Sequence, residues 1–211
     1  MLELIGILTM LIDHLGVVFY EHNLMMQVVG RISFVIYAYL VSVGASKSRC
    51  VKKYLARILF IAVISQFFYY HIIAYRLNVC FTLSAGLLTI MIKDSTKINK
   101  IIKGSLILLT SVLATVFGFE YGAYGVFTIF LFYVCHNRLN TFIVQFSNLV
   151  LSIWLFSFPM YQFYSLFAFI FIFIFEKKQN DYLKTKWTFK YTNYLIYPIH
   201  LMLFYFIHIC L

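Results

Sequence analysis

Charge is scarce in this chain. Asp, Glu, Lys and Arg make up 11% of its 211 residues, against about a quarter in an ordinary soluble domain. With 63% hydrophobic residues and a mean hydropathy of +0.90, the composition excludes a soluble globular domain and predicts an integral membrane protein. Proline is nearly missing, with two in the chain, so little punctuation interrupts the apolar runs. Those runs also lack strand-type alternation between turn signals, which disfavours a β-barrel and leaves helices. Cysteine is present four times, at Cys50, Cys80, Cys135 and Cys210, without close pairing or metal-ligand spacing; no metal site is expected. The opening "MLELIGILTM" has no basic n-region and Asp13-His14 interrupts any h-region, so a cleaved signal peptide is not expected. The longest polar stretch, "EKKQNDYLKTKWTFK" at 176–190, is too short for a folded extramembrane domain and is expected on the inner membrane surface. No internal repeat is visible, so an inverted-repeat transporter has no support.

What is there is a series of apolar segments. A crossing needs about 20 helical residues, and candidate spans fall at 2–20, 25–46, 54–73, 78–92, 104–119, 121–136, 141–158, 160–175 and 191–210. The expected fold class is therefore an all-α, polytopic bundle of about nine transmembrane helices, with 1–211 forming a single transmembrane domain. "FGFEYGAYG" between the fifth and sixth runs reads either as a tight turn or as a re-entrant break.

The net charge of +10 is not spread as a nucleic-acid surface would be. Fifteen of the 17 basic residues fall in four groups: Lys47, Arg49, Lys52, Lys53 and Arg57; Lys93, Lys97, Lys100 and Lys103; Arg138; and Lys177, Lys178, Lys184, Lys186 and Lys190. Groups separated by pairs of apolar segments are what the positive-inside rule produces, with no nucleic-acid partner implied. The groups follow spans two, four, six and eight, which places the N-terminus in the cytoplasm and the C-terminus outside. The outward connections "EHNL", "AYRLN", "EYGAYG" and "FPMYQ" are short and carry one basic residue, Arg76.

Against this background "LTMLIDHLGVVFY", residues 8–20, stands out. Counted from the turn near 21–24, Asp13 and His14 in the first span lie at about the same depth as Arg31 in the second, using 1.5 Å of rise per residue. An unpaired charge at that depth costs several kcal/mol, so Asp13 and Arg31 are the natural ion pair. Neighbouring residues on a helix point about 100° apart, so His14 addresses a different neighbour and is expected to face a cavity. Ser65, Gln66, Asn78, Thr82, Glu120 and Tyr121 are expected at a similar level. In the last span "YPIH" puts Tyr197 and His200 on one face, with His208 extending it. A buried imidazole suits a general base, an acyl carrier or a proton relay in a transporter, and these residues alone leave all three open, together with a purely structural polar network.

The ordered set "ILTMLIDHLG", "VVGRISFVIYAYL", "KKYLARILFIAVIS", "LNVCFTLSAGLL", "EYGAYGVFTIFLFY" and "YTNYLIYPIHL" resembles the TraX family, from residue 5 to about 203 and most weakly over 139–176. That resemblance implies a membrane acyltransferase of the type that acetylates the N-terminus of a conjugative pilin, located in the bacterial cytoplasmic membrane. It implies acetyl-CoA as acyl donor, with a protein, peptide or glycan acceptor. His14 becomes the leading catalytic candidate, supported by Asp13 and Arg31; Asn78, Thr82, Glu120, Tyr121, Tyr197 and His200 become substrate-lining candidates. Lys47, Arg49, Lys52 and Arg57 are the candidates for the donor's phosphates. The chain departs from the family pattern at Val43, Lys47-Ser48, Gln66 and Glu120.

The charge pattern makes a direct prediction. In a background without the native cysteines, single cysteines near positions 96 and 182 should resist an impermeant thiol reagent applied to intact cells, and one at position 22 should react. Labelling of 182 from outside would reverse the orientation.

Overall fold

Among the described residues every regular element is an α-helix except one 3₁₀ stretch. The computed structural model describes residues 1–185 and 188–210, with side chains described outside 177–194. Among them run α1 (Leu2–Val18), α2 (Leu24–Lys47), α3 (Val51–Ile72), α4 (Val79–Asp94), α5 (Lys100–Val116), α6 (Gly122–Val134), α7 (Arg138–Phe156), α8 (Ala168–Thr185) and α9 (Thr188–Cys210), with the 3₁₀ stretch Met160–Phe167 before α8. Of these, α2, α3 and α7 are long and apolar enough to cross a membrane by length and composition. No strand occurs among the described residues. Large apolar side chains face outward in rows, among them Leu108, Leu109 and Val112 on α5 and Leu151, Trp154 and Leu155 on α7, far more than a water-soluble monomer exposes.

One expected span is built differently. The segment 160–175 is not a single α-helix: Ser157 at φ 51° ends α7, and residues 160–167 wind as 3₁₀ before α8 begins. Helix α8 then continues past the apolar run into the polar stretch, as far as Thr185. Glu, Lys and Gln are good helix formers, so polarity there does not stop the helix. The expected surface placement of 176–190, and the basic group Lys177, Lys178, Lys184, Lys186 and Lys190, lie outside the residues whose side chains are described.

The chain divides into two compact units. The first comprises Met1–Tyr37, Val63–Tyr75 and Met160–Leu211. Here α1 packs on α8 and α9. Glu21 and His22 take positive φ values of 48° and 61° to reverse the chain after α1. Asn23 then accepts from the backbone N–H of Met25 and Met26 and starts α2, which is the usual job of an N-cap amide. Two glycines let α1 and α2 close together. A Cβ on Gly16 would come 2.6 Å from Met26 Cβ, and one on Gly30 would overlap Cβ, Cγ and Oδ1 of Asp13.

The second unit comprises Ala38–Ala62 and Arg76–Pro159. Its centre is α6, a 13-residue helix packed against α4, α5 and α7. Along α6, Tyr124, Val126, Thr128 and Ile129 are all buried. The break before it is a tight turn. Gly118 at φ +66° and Gly122 at φ +46° reverse the chain, a conformation glycine adopts without a Cβ penalty. Leu77 pins the turn through two backbone hydrogen bonds: its N–H donates to the Gly118 carbonyl at 3.1 Å, and its carbonyl accepts from Glu120 at 2.9 Å. At the other end of α6, Tyr133 donates to the carboxylate of Asp94 on α4. Across α6 and α7, Gln145 donates to the Thr128 carbonyl and Asn148 to the Thr128 hydroxyl at 3.0 Å.

The glycine contact gives a stability test. Gly30→Ala forces Asp13 aside and should cost about 1–3 kcal/mol, the usual range for overpacking, read as thermal unfolding in detergent. Gly104→Ala is the counterpart, since nothing lies within 4 Å of a Cβ there; it should hold or raise stability, because glycine inside a helix costs up to about 1 kcal/mol against alanine. Equal behaviour of the two variants would refute the close approach at Gly30.

Candidate functional site

Helix α1 sends its two ionisable neighbours to different partners. Asp13 turns to α2, where Arg31 Nη2 donates to Oδ1 at 3.2 Å and to Oδ2 at 3.4 Å. The two side chains retain 11% and 15% of their exposure, so the pair is largely withdrawn from solvent. The guanidinium is held from other sides as well. Its Nε donates to the Gln27 carbonyl at 3.2 Å, and its Cζ lies 5.6 Å from the ring centre of Tyr161. Tyr161 in turn donates to the Gln27 side-chain oxygen at 3.4 Å.

His14, 4% exposed, turns to α9. Its Nδ1 lies 2.7 Å from Nε2 of His200, and the two rings lie edge to edge with centroids 5.0 Å apart and planes 19° from parallel. His200 is itself buried, and its Nδ1 lies 2.8 Å from the carbonyl oxygen of Ile196, one helical turn back. Tyr197 and Phe204 meet the His200 ring edge-on at 5.5 and 5.6 Å, and Tyr197 also meets His14 at 6.2 Å. Aromatic walls therefore enclose a polar pair. Further along α9, His208 is exposed and touches Phe19.

The first unit thus brings together Asp13, His14, Arg31, Tyr197 and His200. The other expected site residues belong to the second unit. Asn78 caps α4, accepting from Cys80 N–H and donating to the Ala62 carbonyl at 2.8 Å. Thr82 is fully buried, and its hydroxyl has no hydrogen-bond partner among the described residues. Glu120 and Tyr121 sit in the turn between α5 and α6, with Tyr121 buried. Lys47 closes α2, Arg49 lies in the following connection, and Lys52 and Arg57 lie on the first turns of α3. Lys47, Arg49 and Lys52 are exposed and Arg57 is half-buried.

Three polar residues of the 3₁₀ stretch, one of them in contact with Arg31, were not singled out from the sequence. Tyr161, Gln162 and Ser165 sit in a segment that reads as a short outward connection followed by an apolar span. Gln162 and Ser165 are completely buried, and neither the Gln162 amide nor the Ser165 hydroxyl has a hydrogen-bond partner among the described residues. In a 3₁₀ helix positions three apart eclipse, so the two share a face. The available signal was the polar spacing within "MYQFYSLF", which puts Gln162 and Ser165 on one face of either helix type. Among the described residues no cluster of three or more His, Cys, Asp or Glu is arranged to hold a metal ion.

A family model described as TraX protein matches residues 1–208. No curated protein and no solved structure matches the chain.

The ion pair can be tested by a double-mutant cycle on stability in detergent. Removing one partner strands the other, and breaking a buried pair costs about 3–5 kcal/mol. Asp13→Asn and Arg31→Gln should each be strongly destabilising, with the double variant less so than their sum. Additive effects would rule out the pairing.

Proposed function

The chain belongs to the TraX family, and on that premise we propose that it is a multi-pass acyltransferase of the bacterial cytoplasmic membrane. It moves an acetyl group from cytoplasmic acetyl-CoA to an amine or hydroxyl on a pilin, peptide or surface glycan near the outer half of the membrane. Nine α-helices among the described residues, three of them long and apolar enough to cross a membrane, and apolar side chains turned outward support a multi-pass chain; the spacing of the basic groups supports an N-terminus inside.

The observation that carries the catalytic reading is the setting of His14. An imidazole on a membrane helix is costly. This one is buried beside a salt-bridged carboxylate and hydrogen-bonded to a second buried histidine. A structural histidine gains an interhelical hydrogen bond from that expense; a base that takes the acceptor's proton gains its reaction as well. In the proposed reaction the acceptor nitrogen or oxygen attacks the thioester carbonyl carbon and gives its proton to His14. The new C–N or C–O bond forms, the C–S bond breaks, and the proton passes to the departing thiolate. Asp13 and Arg31 fix the position of α1 against α2, and hence the direction of His14.

For the donor, the charged nucleotide of coenzyme A stays at the inner surface, where Lys47, Arg49, Lys52 and Arg57 suit its phosphates. Helix α1 begins at Leu2, twelve residues or roughly 18 Å of helix from His14. The pantetheine arm has to bridge a distance of that order.

Purified protein incubated with radiolabelled acetyl-CoA and a membrane or secreted acceptor fraction tests the proposal. His14→Ala should remain folded in the membrane and lose about 10²–10⁴-fold in transfer rate, the range for loss of a general base. Transfer by His14→Ala at the wild-type rate would remove His14 from catalysis. Wild-type protein that consumes no acetyl-CoA with any acceptor would leave a structural subunit as the function.

A further inference from the structure

A carbonyl oxygen accepts hydrogen bonds and cannot donate. This simple asymmetry fixes the protons of the histidine pair. The Ile196 carbonyl lies 2.8 Å from His200 Nδ1, so Nδ1 carries the hydrogen. In a neutral imidazole the other nitrogen is then a bare acceptor, and His200 Nε2 is the atom 2.7 Å from His14 Nδ1. His14 Nδ1 must therefore donate. Its own hydrogen is spent on His200, which leaves the lone pair of His14 on Nε2. No hydrogen bond reaches that nitrogen among the described residues.

Resting on the acyltransferase reading, we infer that His14 reacts through Nε2 and that His200 is the positioning residue that holds it in this tautomer. Histidine in water favours the opposite arrangement, with hydrogen on Nε2. The bond made by one ring nitrogen decides the state of the other, and here the deciding bond starts at a backbone carbonyl of α9. In the reaction, the acceptor's proton arrives at His14 Nε2 as the acceptor bonds to the thioester carbon. The Nδ1 hydrogen of His14 moves toward His200 Nε2, so the positive charge is shared by the two hydrogen-bonded rings. When the C–S bond breaks, the proton leaves from His14 Nε2 to the thiolate, and both rings return to neutral.

Asp13 does not compete for this task, because its carboxylate is engaged by Arg31. His200 occupies the place that a carboxylate holds in a catalytic triad, where the partner fixes the tautomer and steadies the charged ring. Using a neutral partner keeps a second anion out of an apolar region.

The tautomer can be read directly. Full-length protein labelled with ¹⁵N-histidine would be studied by NMR in lipid, with the His14 signals identified by their loss in His14→Gln. Wild-type His14 should carry its hydrogen on Nδ1. His200→Leu should return it to Nε2–H, whereas His200→Gln, whose amide oxygen can still accept from Nδ1–H, should preserve the wild-type state. In acetyl transfer, His200→Leu should lower kcat roughly 10²-fold with little change in KM, and His200→Gln should recover part of that loss. Wild-type His14 with hydrogen on Nε2 would overturn the inference, as would an unchanged kcat in His200→Leu. The NMR result stands apart from turnover, so absence of acetyl transfer in wild type would overturn the acyltransferase reading without deciding whether His200 sets the tautomer.

Discussion

Opposite charges in an apolar interior have little freedom: they must meet. The Asp13–Arg31 contact is that meeting, and much of the first unit follows from it. An uncompensated charge in a membrane segment costs several kcal/mol, so the register of α1 against α2 is set to whatever lets the two side chains touch. The helices must come close for a 3.2 Å contact between a short aspartate and a side chain on the facing helix. Gly30 supplies the room, because any side chain there would occupy the space of Asp13. The reversal at Glu21 and His22 delivers α2 in that register.

Once Asp13 is committed to α2, the helix geometry commits His14 elsewhere. The next residue points about 100° away, toward α9, where His200 awaits it among Tyr197 and Phe204. Thus a structural bond and the imidazole we propose as the base occupy consecutive positions on one helix. The ion pair holds the imidazole in place. The 3₁₀ stretch adds to the same arrangement by laying Tyr161 over the Arg31 guanidinium, a cation–π contact that gains strength when withdrawn from water.

Parts of this were legible in the sequence. Depth along a helix is arithmetic, so Asp13 and Arg31 could be placed at one level by counting from the intervening turn. The divergence of Asp13 and His14 came from the same geometry. The His14–His200 contact was not legible, because 186 residues separate the pair and apolar helices carry no pattern naming their neighbours. Both histidines were candidates, but in different roles. The 3₁₀ stretch was missed because its composition matches that of an apolar α-helix, and only the backbone distinguishes them. Asn78 illustrates the opposite difficulty: an amide that appears available in a list of polar residues is occupied by capping α4 and bonding Ala62.

The shortness of α6 bears on how such a chain is made. Its 13 residues extend about 20 Å at 1.5 Å each, well below the roughly 30 Å of a bilayer's hydrocarbon core. Lipid alone does not hold a helix of that length in place. Its neighbours α4, α5 and α7 do, through the packing of Ile129 against Gly86 and the bonds of Gln145 and Asn148 to Thr128. Two of those neighbours precede α6 in synthesis, but α7 follows it. The centre of the second unit therefore has to wait for a later segment, and its assembly belongs to the stage after insertion, when helices already in the membrane find one another.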